Sequence, residues 1–340
     1  MSVLTLDDAL AAPAQHRVLT GDRPTGALHL GHYLGTLRSR VLLQDAGVRT
    51  FLVIADHQVV TDRDTTAGIA DNVHEVLLDY LAVGLDGPRT TIFTHSAVAA
   101  IGQLMLPFLS LVTDAELRRN PTVKAELAAT AGRPMSALLL TYPVHQAADI
   151  LFAHATLVPV GRDQLPHLEL TRTVARRFTR RYGALFDEPA ALLSDAPTVL
   201  GTDGTKMSKT RGNVVALRDD EDTTAAVIRS AVTDGERHIT YEPERRPEVA
   251  NLLLIAALLL DRAPEVVADE IGAGGAGRLK AVVTEAVNEH LRPVRARRRA
   301  FAADPAHVAG VLADGNAVAA GVADATLEQV RAAMGMAYGV

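Results

Sequence analysis

The stretch Arg17-Val18-Leu19-Thr20-Gly21-Asp22-Arg23-Pro24-Thr25-Gly26-Ala27-Leu28-His29-Leu30-Gly31-His32 decides how this chain folds. Its first four residues read as a short buried strand. The chain then runs through a Pro/Gly turn into a helix from about Gly31. The same alternation continues. Phe51-Leu52-Val53-Ile54-Ala55 reads as a second buried strand, and Thr90-Thr91-Ile92-Phe93-Thr94 as a third. The helix between them carries Ile69, Val73, Val76, Leu77, Tyr80 and Leu81 at helical spacing. An apolar helix is expected near 98–112, an insertion at 113–141, a helix over Ala137–Phe152, a strand at Leu157–Val160 and a helix over about 164–182. Apolar strands separated by amphipathic helices predict an α/β fold with a doubly wound parallel sheet. Its ligands bind at the carboxyl ends of the strands, where the Pro/Gly segment lies.

From about residue 218 the chain reads as mainly helical and Ala-rich. Two domains are expected: 1–217, containing the insertion, and a helical domain at 218–340. Gly272-Ala273-Gly274-Gly275-Ala276-Gly277 fits GxGxxG but follows a helix end rather than a strand, so it reads as a helix–helix turn. The chain has no cysteine, which excludes disulfides and thiolate metal sites, and no metal ligands are assigned. The longest apolar run, residues 252–260, is too short to span a bilayer, and the N-terminal residues lack signal-peptide character. A cytoplasmic protein without a membrane partner is expected. The net charge of −6 leaves nucleic-acid binding open, because a local basic patch suffices.

Two segments carry the chemistry. In the first, Gly21 and Gly26 are expected to allow a tight turn, Pro24 to stiffen it and Gly31 to admit a close ligand. His29 and His32 lie three apart where a helix begins, so both can face one ligand. The helix N-terminus there favours phosphate. The second segment is Gly204-Thr205-Lys206-Met207-Ser208-Lys209-Thr210, about 175 residues later. Only four of the 34 basic residues are lysine, and two of them stand here, three apart. Lysine is a point charge on a long stem, suited to following phosphates as they move. The competing readings, a strand–helix turn with surface histidines and a solvated basic loop, fit either segment alone but not the pair.

Together the segments resemble the HIGH and KMSKS signatures of class I aminoacyl-tRNA synthetases, whose catalytic domain is Rossmann-type. Further stretches are similar to the tryptophanyl-tRNA synthetase family. These are Ile54-Ala55-Asp56-His57-Gln58, Arg119-Asn120-Pro121-Thr122, the run from Tyr142 to Ile150, Val158-Pro159-Val160-Gly161-Arg162-Asp163-Gln164, and Arg211-Gly212-Asn213. The resemblance covers most of the chain. It implies that L-tryptophan is activated by ATP, carrying Mg²⁺, to tryptophanyl-AMP and then moved to tRNA(Trp). It also implies an anticodon-binding role for the helical domain and a homodimer with the insertion at its interface. By the same resemblance His29, His32, Lys206, Ser208 and Lys209 serve the phosphates. Gly21, Arg23, Thr25, Gly31 and Met207 belong to the ATP site, and Gly161 and Asp163 take the ribose. Tyr142 and Gln164 hold the α-amino group, Asp149 accepts the indole N–H, and Leu19, Ala55, Gln146, Val158 and Val160 line the side-chain pocket.

Two positions depart from the family. Gln146 stands where many bacterial tryptophanyl enzymes carry an apolar residue, and tyrosyl enzymes often carry Gln there with Asp three residues later. Tyrosyl enzymes typically carry a Tyr on the first strand to read the phenol, where this chain has Leu19. His32 stands where many tryptophanyl enzymes have Asn. A tyrosyl-tRNA synthetase, another nucleotidyltransferase of the superfamily and a non-enzymatic paralogue are the alternatives. Two arginine groups complete the reading. Arg292, Arg295, Arg297, Arg298 and Arg299 suit either tRNA phosphates or a solvated helix face. The helix bearing Arg172, Arg176, Arg177, Arg180 and Arg181 is expected to be structural, with an exposed cationic face.

Overall fold

The four apolar runs foreseen in the sequence become strands, and two more join them. The structure is a computed structural model that describes residues 3–61, 66–129, 136–161, 164–193 and 199–338. The strands are β1 (Val3–Leu4), β2 (Arg17–Asp22), β3 (Arg49–Ile54), β4 (Thr90–Thr94), β5 (Leu157–Val160) and β6 (Ala190–Leu193). All pairings are parallel, in the order β1-β6-β5-β2-β3-β4. From β2 the chain steps outward to β3 and β4, then returns across the sheet to β5. The direction of winding therefore reverses between β2 and β5, and the carboxyl ends of those strands form the crevice where such sheets bind ligands.

The helices between strands follow the sequence pattern closely: Ile69–Val83, Ala99–Leu109, Ala137–Phe152 and Leu165–Tyr182. The insertion holds two short helices, Asp114–Arg119 and Pro121–Ala129. The helix foreseen at Gly31 begins at Leu30 and passes through a π-helical turn, Tyr33–Leu37, into Arg38–Asp45. Ser136 caps the Ala137–Phe152 helix by accepting from Leu139 N–H, which satisfies one of the orphan donors at its N-terminus.

Gly21 corrects one expectation. It lies inside β2, not in a turn, and a Cβ there would come 2.1 Å from the Val53 carbonyl oxygen. Glycine is needed so that β2 can approach β3. Gly26, at φ +119°, is a turn glycine as expected.

After residue 218 come the helices Glu221–Arg229, Pro247–Leu260, Pro264–Ile271, Gly275–Ala302 and Pro305–Ala333. The glycine-rich run is a short 3₁₀ turn, Gly272–Gly274, between two of them. One apolar core joins both parts of the chain, holding Leu28, Leu30 and Leu77 together with Val287 and Leu291. The last helix, Pro305–Ala333, is long and apolar enough by length and composition to cross a membrane. It lies along the edge strand β4, where a Cβ on Gly315 would come 1.9 Å from the Ile92 carbonyl oxygen. Asn316 Oδ1 accepts from Thr94 N–H at 2.9 Å. The helix thereby covers a strand edge that would otherwise offer unpaired backbone groups.

Candidate active site

The first segment is fixed by a buried ion pair that the sequence did not reveal. Asp22, at the end of β2, binds Arg40 Nη1 at 2.5 Å and accepts from Tyr80 Oη at 2.7 Å. Burial pushes the Asp22 carboxyl up, but Arg40, with help from His32 and Tyr80, outweighs it and holds it well below the carboxylate range. Further on, Asp79 caps the segment from beneath by accepting from Leu28 N–H at 2.7 Å. His29 is the N-cap of the short helix Leu30–His32, and the two imidazoles lie 3.8 Å apart between ring centres. Burial, with His32 and Lys209 nearby, pushes the His29 imidazole down to about 3. Burial, opposed by Asp22 and aided by Lys209, also lowers His32. Both histidines are therefore neutral near pH 7 and act as hydrogen-bonding groups rather than charges.

The lysine loop closes on this segment. Lys209 Nζ donates to the Gly26 carbonyl at 2.6 Å, so the two signatures touch. Backbone bonds from Leu30 N–H to Val215 (2.9 Å) and from Leu217 N–H to Leu28 (3.0 Å) stitch the loop's exit beside His29. The loop is shaped by Asn213, which is buried. Its Oδ1 accepts from Ser208 N–H at 2.7 Å, and its Nδ2 donates to Asp203 Oδ1 at 2.7 Å and to the Lys206 carbonyl at 3.2 Å. Gly204 takes φ +76° at the loop entrance. Met207 is buried against Gly31, where a Cβ would come 3.1 Å from its sulfur, while Lys206 is exposed.

A cavity of about 260 Å³ opens beside these loops, at the β2/β5 crevice. That is slightly below the roughly 300–1,000 Å³ of drug-sized sites and suits one amino-acid side chain. Leu19, Ala55, Tyr142, Gln146, Asp149, Val158, Val160 and Gln164 all line it, so every residue expected in the amino-acid pocket converges there. Gly21 and Arg23 line it too. Gly161 lies just past β5, and Asp163 falls outside the described residues. Asp149 is 2% exposed, and its Oδ1 stands 3.0 Å from His95 Nε2. Tyr142 Oη bonds His167 Nε2 at 3.0 Å, and His167 Nδ1 faces Asn120 Nδ2 at 3.3 Å. Through this buried chain, Asn120 of the Arg-Asn-Pro-Thr stretch orients the imidazole that in turn orients Tyr142.

The family described as tRNA synthetases class I (W and Y) matches residues 13–292. The chain belongs to that family. This synthetase is 43% identical over 328 residues to a tryptophan–tRNA ligase of Treponema pallidum, covering 94% of this chain and 97% of that one. It is 40% identical over 335 residues to a tryptophan–tRNA ligase of Streptococcus pyogenes, covering 94% and 98%. Among solved structures it is similar to tryptophanyl-tRNA synthetase from Campylobacter jejuni complexed with ADP and tryptophan. That likeness has a TM-score of 0.82 at 29% identity, over 94% of this chain and 99% of that one.

The arginines of the synthetase serve its architecture more than the sequence suggested. Arg295 is buried and bonds Thr224 Oγ1 at 2.8 Å. Arg297 donates to the Ala82 carbonyl at 2.6 Å, and Arg298 binds Asp79 at 2.8 Å and Glu75 at 2.6 Å. Arg297 and Arg298 join the helix Gly275–Ala302 to the helix Ile69–Val83, and Arg295 joins it to Glu221–Arg229, while Arg292, Arg297 and Arg299 stay exposed and keep a cationic face there. Arg298 also holds the carboxylate that caps Leu28, which links the helical region to the first signature. On the other helix, Arg172 is buried, and Arg176 and Arg177 pair with Glu188 and Glu116, each at 2.5 Å. The exposed cationic face there shrinks to Arg180 and Arg181. A larger cleft of about 520 Å³, bordered by Arg262, Glu270 and His290, lies among the C-terminal helices, away from the strand ends.

Proposed function

We propose that this synthetase is a tryptophan–tRNA ligase. A tryptophan carboxylate oxygen attacks the α-phosphorus of ATP, the α–β phosphoanhydride bond breaks, and pyrophosphate leaves. A terminal ribose hydroxyl of tRNA(Trp) then attacks the mixed anhydride and releases AMP. The observation that carries the reading is the cavity: apolar Leu19, Val158 and Val160 with one buried carboxylate, Asp149, in a chain 40–43% identical to tryptophan–tRNA ligases. An indole offers one N–H donor, which left unpaired costs roughly 1–3 kcal/mol. Asp149 Oδ1 faces His95, so Oδ2 is the oxygen that takes the indole. A phenol would call for a polar reader on β2, where Leu19 stands.

Tyr142 and Gln164 hold the α-amino group, and Gly161 and Asp163 hold the ribose. Gly21, Arg23, Thr25, Gly31 and Met207 shape the nucleotide side. His29, His32, Lys206, Ser208 and Lys209 carry the phosphates, with Mg²⁺ arriving on ATP and sharing the developing charge. No protein nucleophile is needed, and positioning with electrostatic stabilisation supplies the rate. Lys209 would exchange the Gly26 carbonyl for pyrophosphate oxygens. Residues 1–217 form the catalytic domain and 218–340 the part that meets the anticodon. The enzyme works as a cytoplasmic homodimer, with residues 113–141 at the interface. ATP–pyrophosphate exchange with each of the twenty amino acids tests the substrate. Tryptophan should drive exchange, and faster exchange with tyrosine would sink the assignment and make Gln146 the misread residue.

A further inference from the structure

Three imidazoles that neither signature uses stand together behind the amino-acid pocket. His57 follows β3, His95 follows β4, and His145 sits in the middle of the helix Ala137–Phe152. One ligand atom from each lies within 4.8 Å of the others. The His95 and His145 rings are 4.7 Å apart and nearly perpendicular, and both are buried. His57 is exposed, 6.0 and 6.2 Å from them between ring centres.

A histidine that only fills a core finds a partner for each ring nitrogen, because an unmet buried polar group is costly. His95 does not. It is 2% exposed, and its Nδ1 has no hydrogen-bond partner among the described residues. Its Nε2 stands 3.0 Å from Asp149 Oδ1, close but without hydrogen-bond geometry. One nitrogen toward a carboxylate and the other left open is how metal-binding imidazoles are arranged, the carboxylate fixing the ring and its tautomer.

We propose that His57, His95 and His145 form a site for a divalent transition-metal ion of the zinc type, with Asp149 as the carboxylate behind His95. Three imidazoles suit such an ion, and the exposed side at His57 leaves room for a water as fourth ligand. Zn–N bonds of about 2.0–2.1 Å set nitrogens roughly 3.3 Å apart in a tetrahedron. Binding would draw the three nitrogens in from their present spacing of up to 4.8 Å. Asp56 stands at the rim, accepting from His57 N–H at 2.9 Å and from Ser96 N–H at 3.1 Å. Two carboxylates thus flank the three rings, and a cation balances them.

The site has a consequence for the pocket, and that consequence rests on the tryptophan reading. A metal on His95 Nδ1 makes its Nε2–H a fixed donor to Asp149, which holds the carboxylate in place for the indole. Metal and tryptophan should each tighten the other, by the same factor. The metal site itself stands without this step.

The test uses the full chain, stripped with a chelator, desalted and titrated with ZnCl₂ without ATP. We expect one equivalent of Zn²⁺ per chain, and His57→Ala to weaken that binding at least tenfold. Zinc X-ray absorption on the parent should show three imidazoles, which needs no variant to fold. No stoichiometric uptake, equal uptake by His57→Ala, or a spectrum without three imidazoles overturns the site. If zinc binds as expected, tryptophan affinity should rise threefold or more on loading, read from ligand fluorescence in a chain that has no tryptophan of its own. Unchanged affinity would remove the coupling and leave the metal site standing. Failure of tryptophan to bind with or without zinc would instead count against the substrate assignment.

Discussion

The amino-acid pocket and the lysine loop lie side by side but are built on opposite principles. The pocket rests on strand ends and one long helix. Its floor residue Asp149 and its orienting chain Tyr142–His167–Asn120 are buried. The loop has no regular element beyond a short turn, Lys209–Arg211, and Asn213 and backbone bonds give it shape. Lys206 is exposed, and Lys209 is held by a carbonyl that a phosphate can replace. On the proposed reading the pocket discriminates before chemistry and is pre-formed, whereas the loop responds as charge develops through contacts that can exchange. Variants in the two regions should therefore fail in different kinetic terms.

Asp149→Ala should break the pocket side most. It removes the acceptor and leaves the indole donor unpaired, so kcat/KM for tryptophan should fall by roughly 2–4 kcal/mol, or about 30- to 900-fold. ATP binding should persist. Stopped-flow fluorescence of tryptophan binding checks this, and a variant that binds and activates tryptophan like the parent would remove Asp149 from the pocket.

Lys209→Ala should strike the other side. In the proposed role its charge acts as pyrophosphate leaves, so single-turnover adenylate formation should slow more than tenfold while tryptophan affinity stays within about twofold. Weaker tryptophan binding with an unchanged chemical rate would erase the distinction between the regions.

The sequence conveyed these two regions unequally. All eight pocket residues implied by the family resemblance line one cavity, because the stretches that carry the resemblance lie at the strand ends and on the helix Ala137–Phe152 that border it. The short edge strand Val3–Leu4 was not legible, since two residues show no period. Ala190-Ala191-Leu192-Leu193 was not either, because its composition favours helix over strand. The supports of the first signature were equally hidden. Asp22 meets Arg40 and Tyr80 across 18 and 58 residues, and no local pattern announces a contact of that range. Arg295, Arg297 and Arg298 read as a basic cluster because sequence displays charge but not the carboxylates and carbonyls that receive it. The three-histidine cluster was invisible for the same reason, its members being separated by 38 and 50 residues of chain.

Asn213→Ala sharpens the comparison at smaller scale. It removes the acceptor of Ser208 N–H and the donor to Asp203 and Lys206. Nothing it touches belongs to the pocket. Adenylate formation should slow by roughly three- to tenfold, about the worth of one hydrogen bond to an ordered backbone, with tryptophan affinity unchanged. A loss confined to tryptophan binding would show that the loop shapes the pocket after all.

The last break in the comparison is a pH dependence at the first signature, read in stability rather than in rate. His29 titrates at about 3 in the folded protein, against about 6.5 when unfolded. Between those values the unfolded chain binds a proton there that the folded one refuses. Folding stability therefore rises with pH across that window and is lost as the solution is acidified. The cause is local: burial comes first, and His32 and Lys209 oppose a second positive charge beside the closed loop. His29→Asn keeps a hydrogen-bonding side chain but cannot titrate. Urea unfolding of parent and variant at pH 4.5, 5.5 and 7.5 should give a shallower acid loss for the variant, with the two curves running parallel above pH 7. Equal slopes at every pH would mean that His29 takes up its proton without resistance, and that the loop does not press its charge on the first signature.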